Sequence, residues 1–124
     1  MAHACVVDRE SHTQGHQLRT GYVEGVATWP DRQGQGHSTR VMLAVNKFLA
    51  ENYQLGGLST GLNGFYTKLG WETWKGRTYI RMRDGTSDRT GEEEGTVMIL
   101  RTKTTPALNT EAGISAEWRP GELW

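Results

Sequence analysis

Residues 22–38 read YVEGVATWPDRQGQGHS and predict a strand, a turn, a glycine-rich loop and the start of a helix. Tyr22–Trp29 is rich in β-branched and aromatic residues, as buried strands are. Pro30 ends this strand, because proline has no N–H to donate to a sheet. Glycines at a helix start let backbone N–H groups approach an anion, and the helix dipole adds partial positive charge. The stretch therefore predicts a cradle for a pyrophosphate.

The spacing of the glycines excludes two common phosphate loops. A Walker loop has a lysine directly after its second glycine, and no lysine follows Gly34 or Gly36. A Rossmann loop needs a third glycine, where this chain has Thr39. The pattern that fits is Gln/Arg-x-x-Gly-x-Gly/Ala, with Gln33, Gly36 and, in the last small position, Ser38. An ordinary surface turn with two glycines is the alternative.

The composition indicates one small domain over residues 1–124. Its 14 basic and 14 acidic side chains give no formal net charge, which argues against a broad nucleic-acid surface. No apolar run is long enough to span a bilayer, so we expect no membrane partner. Cys5 is the single cysteine, which excludes a disulfide framework and a cysteine zinc site. We therefore expect a cytoplasmic protein that uses no metal.

The chain before residue 30 predicts two strands. Ala2–Val7 is a short apolar strand, Asp8–Gln17 a polar hairpin loop and Leu18–Trp29 a longer strand. Early histidines are predicted to face solvent or to lie in loops, because no carboxylate or cysteine stands beside them at ligand spacing. They are His3, His12 and His16.

The chain after residue 37 predicts two helices. The first helix has an apolar stripe, which we expect to belong to the core. Its members are Val41, Met42, Val45, Phe48 and Leu49. A loop and a short strand then cover residues 53–59, and a second short helix is expected around Leu62–Leu69. Gly70 fits the residue just past a helix terminus.

Glu24 stands out because it lies within an otherwise apolar strand. A carboxylate there is costly to bury unless it is paired or faces a cleft. It is either a solvent-facing residue of an alternating strand, or a general base or cation anchor just before the glycine loop. Gly25 beside it would permit a β-bulge or the close approach of a ligand.

Two segments resemble the GNAT acyltransferase superfamily. Residues 33–38 are similar to its acetyl-CoA loop, and NGFYTKLGW at 63–71 is similar to a segment in which a tyrosine precedes a lysine-leucine-glycine-aromatic end. The resemblance implies that the hydroxyl of Tyr66 faces the CoA sulfur and can protonate the departing thiolate. A core tyrosine with a hydrogen-bonded hydroxyl is the alternative.

Further segments in fixed order are similar to the aminoglycoside 2′-N-acetyltransferases, from about Ala2 to Trp124. They are YVEGVA at 22–27, YQLG at 53–56, GW at 70–71, Trp74, EEEGTV at 92–97 and EWRPGELW at 117–124. The resemblance implies an α/β (α+β) GNAT fold, in which helices flank a mixed central sheet and acetyl-CoA lies between two splayed strands. It implies acetylation of an amine of an aminoglycoside antibiotic, and hence antibiotic resistance.

The resemblance also implies residue roles. Glu24 would take the proton of the acceptor amine, a step that acylation of an ammonium requires. The CoA pantetheine arm would face the backbone of Val26, Ala27 and Thr28. The CoA pyrophosphate would be covered by Gln33, Gly34, Gln35, Gly36, His37 and Ser38. The acceptor, a polycation that favours carboxylates, would contact Glu24, Gly25, Ser59, Glu93, Glu122 and Trp124. For the Glu92–Glu94 run, a solvated acidic loop is the alternative.

The chain departs from the family pattern in several places. Its acidic trio is Glu where relatives often carry Asp, His37 and Ser38 crowd the phosphate loop, and the stretch between Ser59 and Tyr66 is shorter. The chain starts where the family's third strand would, so we expect the first strand, first two helices and second strand of the usual fold to be absent.

That expected absence leaves alternatives open. The chain could be a GNAT enzyme that acetylates another small-molecule or peptide amine, or a CoA-binding remnant without activity. It would also leave strand Ala2–Val7 as a bare sheet edge, from which we expect a homodimer.

Overall fold

The computed structural model describes residues 2–28, 37–119 and 124, and the side chains of residues 4–24, 39–119 and 124. Two α-helices, eight strands and one short 3-10 helix are found in these ranges. The helices are α1, His37–Asn52, and α2, Asn63–Thr67, and the 3-10 helix is Gly91–Glu93. The strands are β1 Ala2–Thr13, β2 His16–Thr28, β3 Leu55–Ser59, β4 Glu72–Thr73, β5 Thr78–Arg81, β6 Ser87–Arg89, β7 Val97–Arg101 and β8 Ile114–Glu117.

The strands form one mixed sheet in the order β4-β7-β3-β2-β1-β8-β5-β6. The pairs β2–β3 and β5–β8 are parallel, and the other neighbouring pairs are antiparallel. The predicted mixed sheet with flanking helices is therefore confirmed. The absence of further elements of the usual fold stays a prediction.

The polar loop predicted over Asp8–Gln17 is wrong. Strands β1 and β2 run through it and meet in a two-residue turn, where Gln14 has φ 53° and Gly15 has φ 82°. Positive φ at both central residues is the geometry that matches the twist of a hairpin. The sequence did not predict the second half of β1 because its inward-facing residues are polar. Arg9, Ser11 and Thr13 are all buried.

The predicted bare edge on β1 agrees with the register. Strand β1 pairs with β2 along its whole length, but with β8 only at Ser11 and His12. Within residues 2–28, 37–119 and 124, the outer side of Ala2–Val7 has no strand neighbour. His12 corrects one expectation, because its Nε2 lies 2.7 Å from Oε1 of Glu117 in the sheet instead of in a loop.

Helix α1 packs on the sheet through Met42 and Leu49, both fully buried. Close contact requires Gly21, where a Cβ would lie 2.3 Å from Cδ2 of Leu49. Phe48, predicted as core, is 47% exposed and packs edge-on against Tyr53 at the margin of the sheet. Neither described helix is long and apolar enough to cross a membrane.

Helix α2 is shorter than the predicted Leu62–Leu69. Gly70 follows it with φ 97°, which confirms its predicted place past the helix end. The aromatic side chains after it are core, because Trp71 and Trp74 are almost completely buried. Trp71 packs with Val23, Met42 and Tyr66 in one cluster, whereas Trp74 belongs to a second cluster that includes Tyr22 and Trp124. Tyr22 and Val23 point to opposite faces because successive strand residues alternate.

Candidate active site

A β-bulge follows Glu24 on strand β2. The register pairs Cys5 with Glu24 and His3 with Ala27, so one residue of β1 faces two residues of β2, at positions 25 and 26. A bulge leaves an extra residue out of the ladder and redirects the side chains beside it. Of the two possibilities that Gly25 left open, a bulge is present, and it lies directly after Glu24.

Strands β2 and β3 separate at the same level. Their parallel pairing covers Thr20–Tyr22 against Leu55–Gly57, and no pair is formed between Val23 and Leu58 or between Glu24 and Ser59. Backbone groups that leave a ladder need other partners when they are shielded from water. The gap between the two strand ends therefore offers a place for a ligand with amide groups of its own.

A cleft of about 570 Å³ opens where the strands separate. Strand β2 contributes Tyr22, Val23 and Glu24, and β3 contributes Leu58 and Ser59. The remaining walls come from segments that follow β3 or end the chain. They are Thr60, Leu62, Tyr66, Glu93 and Trp124. Five residues predicted for catalysis or acceptor binding thus line one cleft, although they lie far apart in the sequence.

Glu24 forms an ion pair with Arg119. The Glu24 side chain is 35% exposed and that of Arg119 is 23% exposed, so the pair is partly buried. The guanidinium of Arg119 also lies 5.4 Å from the centre of the Tyr22 ring. A carboxylate in the strand is therefore neutralised by a cation of the same chain, which the sequence did not predict.

A second buried guanidinium, that of Arg9, lies on the Tyr22 ring at 4.9 Å. Its Nη2 donates to the backbone oxygen of Glu117 at 3.0 Å, whereas its Nη1 and the Tyr22 hydroxyl have no hydrogen-bond partner in the described structure. Burial and the nearby Arg119 lower the pKa of Arg9 to about 10, so it stays charged near neutral pH. Burial raises the pKa of Tyr22, so its hydroxyl stays protonated.

Ser59 and Glu93 meet across the cleft. The Ser59 hydroxyl donates to Oε2 of Glu93 at 3.2 Å. A turn holds Glu93: Glu94 is extended, Gly95 has φ 88°, and the N–H of Thr96 donates to the Glu93 backbone oxygen at 3.0 Å. Because the third residue of such a turn needs positive φ, glycine fits there.

The acidic trio is not one unit. The carboxylate of Glu94 accepts from Nε and Nη2 of Arg89 at 2.9 and 2.8 Å. This pairing lowers the pKa of Glu94 to about 2. Glu92 is exposed, and of the three side chains only Glu93 lines the cleft in the described structure. One carboxylate of the trio, rather than three, faces the predicted acceptor position.

Trp124 is 6% exposed although it ends the chain. Its indole N–H donates to the Thr90 hydroxyl at 3.0 Å, which in turn donates to the Thr78 hydroxyl at 2.8 Å. The Trp124 ring lies 6.5 Å from that of Tyr22. Trp124 is thereby held in the wall of the cleft, and its contact with an acceptor stays a prediction.

Tyr66 lies on the opposite wall. It packs edge-on against Phe65 at 4.9 Å and Trp71 at 6.3 Å between ring centres, and it is 6% exposed. Burial raises its pKa, so the hydroxyl is protonated at neutral pH. A protonated phenol in the cleft can donate a hydrogen bond or a proton.

Other predicted site residues lie partly or wholly outside the described residues. The backbone of Gly25, Val26, Ala27 and Thr28 lies in β2 next to the cleft, and His37 and Ser38 begin α1. Of these, Val26, Ala27, Thr28, His37 and Ser38 have side chains outside the described residues. Entirely outside the described residues are Gln33, Gly34, Gln35, Gly36 and Glu122.

The sequence interpretation missed Arg9, Tyr22 and Arg119. Arg9 gives no hydrophobic signal, although it faces inward on β1. Arg119 and Glu24 come together only because the sheet brings their two segments close, which spacing along the chain does not reveal. Among the described residues, no group of three or more His, Cys, Asp or Glu side chains could hold a metal ion.

Comparison with known proteins agrees with this geometry. Residues 1–74 match the family model described as an acetyltransferase (GNAT) domain. The chain is 39% identical to an aminoglycoside 2′-N-acetyltransferase from Mycolicibacterium fortuitum over 127 aligned positions. All of this chain aligns, but it spans 65% of that relative's length.

Solved structures share the fold. A GNAT family N-acetyltransferase, YhbS, from Escherichia coli in complex with CoA superposes with a TM-score of 0.61 at 20% identity, covering 92% of this chain and 58% of that one. A GCN5-related N-acetyltransferase from Kribbella flavida superposes with a TM-score of 0.54 at 20% identity, covering 60% of this chain and 19% of that one. With the family match, the whole-chain relative and the splayed, bulged strands in agreement, this chain belongs to the GNAT acetyltransferase family.

Proposed function

We propose that this chain transfers an acetyl group from acetyl-CoA to an amine of an aminoglycoside antibiotic and so contributes to resistance. The observation that carries the proposal is the cleft that joins Glu24, Ser59, Tyr66, Glu93 and Trp124. The similarity to the Mycolicibacterium fortuitum enzyme supports this choice of acceptor.

The residues present fit acetyl-CoA as co-substrate. Strands β2 and β3 separate after Tyr22 and Gly57, and the bulge after Glu24 turns the β2 backbone at the gap. An amide-containing arm can bond to that backbone at Val26–Thr28 as an additional strand would. When bound, acetyl-CoA supplies the thioester carbonyl that an amine attacks. The pyrophosphate contact proposed for Gln33–Ser38 rests on the sequence pattern.

Two side chains handle protons in this proposal. Glu24 accepts the proton that the acceptor amine must lose, directly or through a water molecule. Tyr66, whose hydroxyl is kept protonated by burial, donates a proton to the departing thiolate. Ser59 and Glu93 lie on the same cleft and attract a cationic acceptor.

The cellular setting is also a proposal. We infer a cytoplasmic homodimer without nucleic-acid or membrane partners. The dimer is supported by the outer side of Ala2–Val7, which has no strand neighbour in the described ranges, because such an edge can pair with a second copy. Charge balance supports the absence of a nucleic-acid partner.

A second candidate function is acetylation of a less cationic amine. Only Glu93 of the acidic trio lines the cleft in the described structure, and Glu94 is paired with Arg89 instead. A site with fewer carboxylates than the sequence predicted attracts a polycation less strongly. Glucosamine and short peptides are suitable alternative acceptors for a test.

Thiol release from acetyl-CoA tests the proposal. The wild-type protein is expected to release CoA thiol with kanamycin-type or gentamicin-type acceptors. Glu24→Gln is expected to lower turnover most at low pH, where the acceptor amine is mostly protonated and needs a base. Glu111→Gln, on an exposed loop outside the cleft, is the control. An unchanged pH–rate profile in Glu24→Gln would show that Glu24 is not the base.

A further inference from the structure

We propose that Arg119 sets acceptor specificity by occupying Glu24 in the free protein, so that only an acceptor with several ammonium groups displaces it effectively. This inference rests on the proposed function, in which Glu24 receives the acceptor amine. It adds a residue of this chain that competes with the acceptor.

The position of Arg119 is fixed by the sheet. It follows β8, which pairs in parallel with β5 up to Arg81 and Glu117. The next N–H, that of Trp118, donates to the Arg81 backbone oxygen at 2.9 Å. From this anchored backbone the guanidinium reaches Glu24 and lies against the Tyr22 ring. Arg119 therefore returns to Glu24 whenever the acceptor leaves.

The ion pair stands between two clefts. Glu24 lines the active-site cleft, whereas Arg119 lines a neighbouring cleft of about 470 Å³. Three carboxylates line that second cleft beside two other guanidinium groups; these lining charges are Asp8, Glu10, Glu117, Arg9 and Arg19. A displaced Arg119 can turn toward Glu10 or Glu117 there, which lowers the cost of its release compared with leaving the cation unpaired.

Charge competition then favours a polycation. A single ammonium that approaches Glu24 meets repulsion from Arg119 and from the buried Arg9, which is 7% exposed. An acceptor with several ammonium groups also gains attraction at Glu93, so its total gain can exceed the loss of the Glu24–Arg119 pair. Specificity is the difference in binding free energy between two acceptors. Arg119 increases this difference because the cost of displacing it weighs most on an acceptor that makes few other contacts.

Calorimetry of acceptor binding in the presence of CoA tests the inference. Because CoA has no acetyl group to transfer, binding is measured without turnover. The probes are kanamycin, with several amines, and glucosamine, with one. Arg119→Gln is expected to tighten both, by roughly two- to fivefold for kanamycin and by more for glucosamine. Arg83→Gln is the matched control, because that guanidinium lies 5.0 Å from the Trp118 ring but outside both clefts.

Kinetics and a second variant complete the test. Arg119→Gln should lower KM for the acceptor and leave kcat within about twofold. If it does not fold, Arg119→Lys, which pairs less specifically with a carboxylate, should tighten kanamycin binding by roughly twofold. Unchanged or weaker binding in the folded variant overturns the inference, as does a lower kcat at unchanged KM, which would make Arg119 a positioning residue.

The two proposals can fail separately. If Arg119→Gln tightens binding but the wild-type protein releases no thiol with any aminoglycoside, the inference stands and the proposed activity is wrong. If the wild type acetylates kanamycin and Arg119→Gln binds it no more tightly, only the inference is wrong. If neither protein binds kanamycin, both are wrong.

Discussion

The indole N–H of Trp71 donates to Oδ1 of Asn46 at 2.9 Å, and Nδ2 of Asn46 donates to the backbone oxygen of Leu69 at 2.9 Å. One amide on α1 thus holds both the end of the α2 segment and the aromatic residue after Gly70. Because the Tyr66 ring packs against Trp71, this amide also supports the tyrosine of the cleft.

Replacing Asn46 by leucine is expected to destabilise the protein. Trp71 is 1% exposed, so its N–H would be left without a partner in the core, at a cost of about 1–3 kcal/mol. Urea unfolding of the variant measures this loss. Asn52→Ala is the control, because the Asn52 side chain is exposed and donates to the Phe48 backbone oxygen within its own helix. Equal stability of Asn46→Leu and wild type would contradict the assigned role.

Tyr66→Phe is expected to slow thiol release less than Glu24→Gln does. The substitution keeps the ring contacts with Phe65 and Trp71 but removes the hydroxyl, and water can replace it as a proton donor. Steady-state turnover at saturating acceptor measures the effect. Tyr79→Phe, in β5 and outside the cleft, should leave turnover unchanged. Wild-type turnover in Tyr66→Phe would assign the residue to packing alone.

Glu94 makes part of the protein's stability dependent on pH. Arg89 lowers the pKa of Glu94 from 4.5 to about 2. The ionised, paired carboxylate therefore stabilises the fold fully above pH 4.5, and this stabilisation is lost as the pH falls from there to about 2. Glu94→Gln should therefore show a smaller loss of stability than wild type between about pH 6 and about pH 2.5. Urea midpoints at both pH values provide the comparison. An identical pH dependence in the two proteins would show that Glu94 does not contribute to the change of stability with pH.

Local signals in the sequence predicted most elements that position the cleft. The helical stripe of α1, the glycine after α2 and the bulge beside Glu24 each follow from the chemistry of a few neighbouring residues. Strand β1 was predicted too short because Arg9, Ser11 and Thr13 fill inward-facing positions, which removes the apolar alternation that marks a half-buried strand. Their burial is stabilised by hydrogen bonds to neighbouring segments, such as the one that the Thr13 hydroxyl donates to the Gly113 backbone oxygen just before β8.

The charge balance of the site could not be predicted in the same way. The predicted acidic acceptor site contains Glu24 and Glu93, but Arg119 pairs with the first, and Glu94 turns to Arg89. These partners depend on the order of the strands in the sheet. Strand β1 lies between β2 and β8, and Arg119, which follows β8, reaches across it to Glu24 on β2. Spacing along the chain carries no information about such contacts.

The carboxylate of Glu93 is held in the cleft by Ser59 on one side, while the Thr96 hydroxyl donates to the Glu93 backbone oxygen at 2.7 Å. An ordered carboxylate attracts an ammonium without first losing conformational freedom. Glu92, next to it in the same 3-10 helix, is exposed and outside the cleft.

Glu93→Gln and Glu92→Gln therefore form a matched pair of variants. The pair distinguishes a direct contact between Glu93 and the acceptor from an effect of the total negative charge of the loop. Glu93→Gln should raise KM for an aminoglycoside by roughly 10-fold, because one charge-assisted contact is lost, while kcat changes little. Glu92→Gln removes the same charge from the same loop but should leave KM nearly unchanged, since exposed charges are screened by salt. Acceptor titrations at fixed acetyl-CoA and about 0.15 M salt measure both values. An equal rise in KM in the two variants would mean that the loop acts through its total charge, and that the position of Glu93 beside Ser59 has no part in acceptor binding.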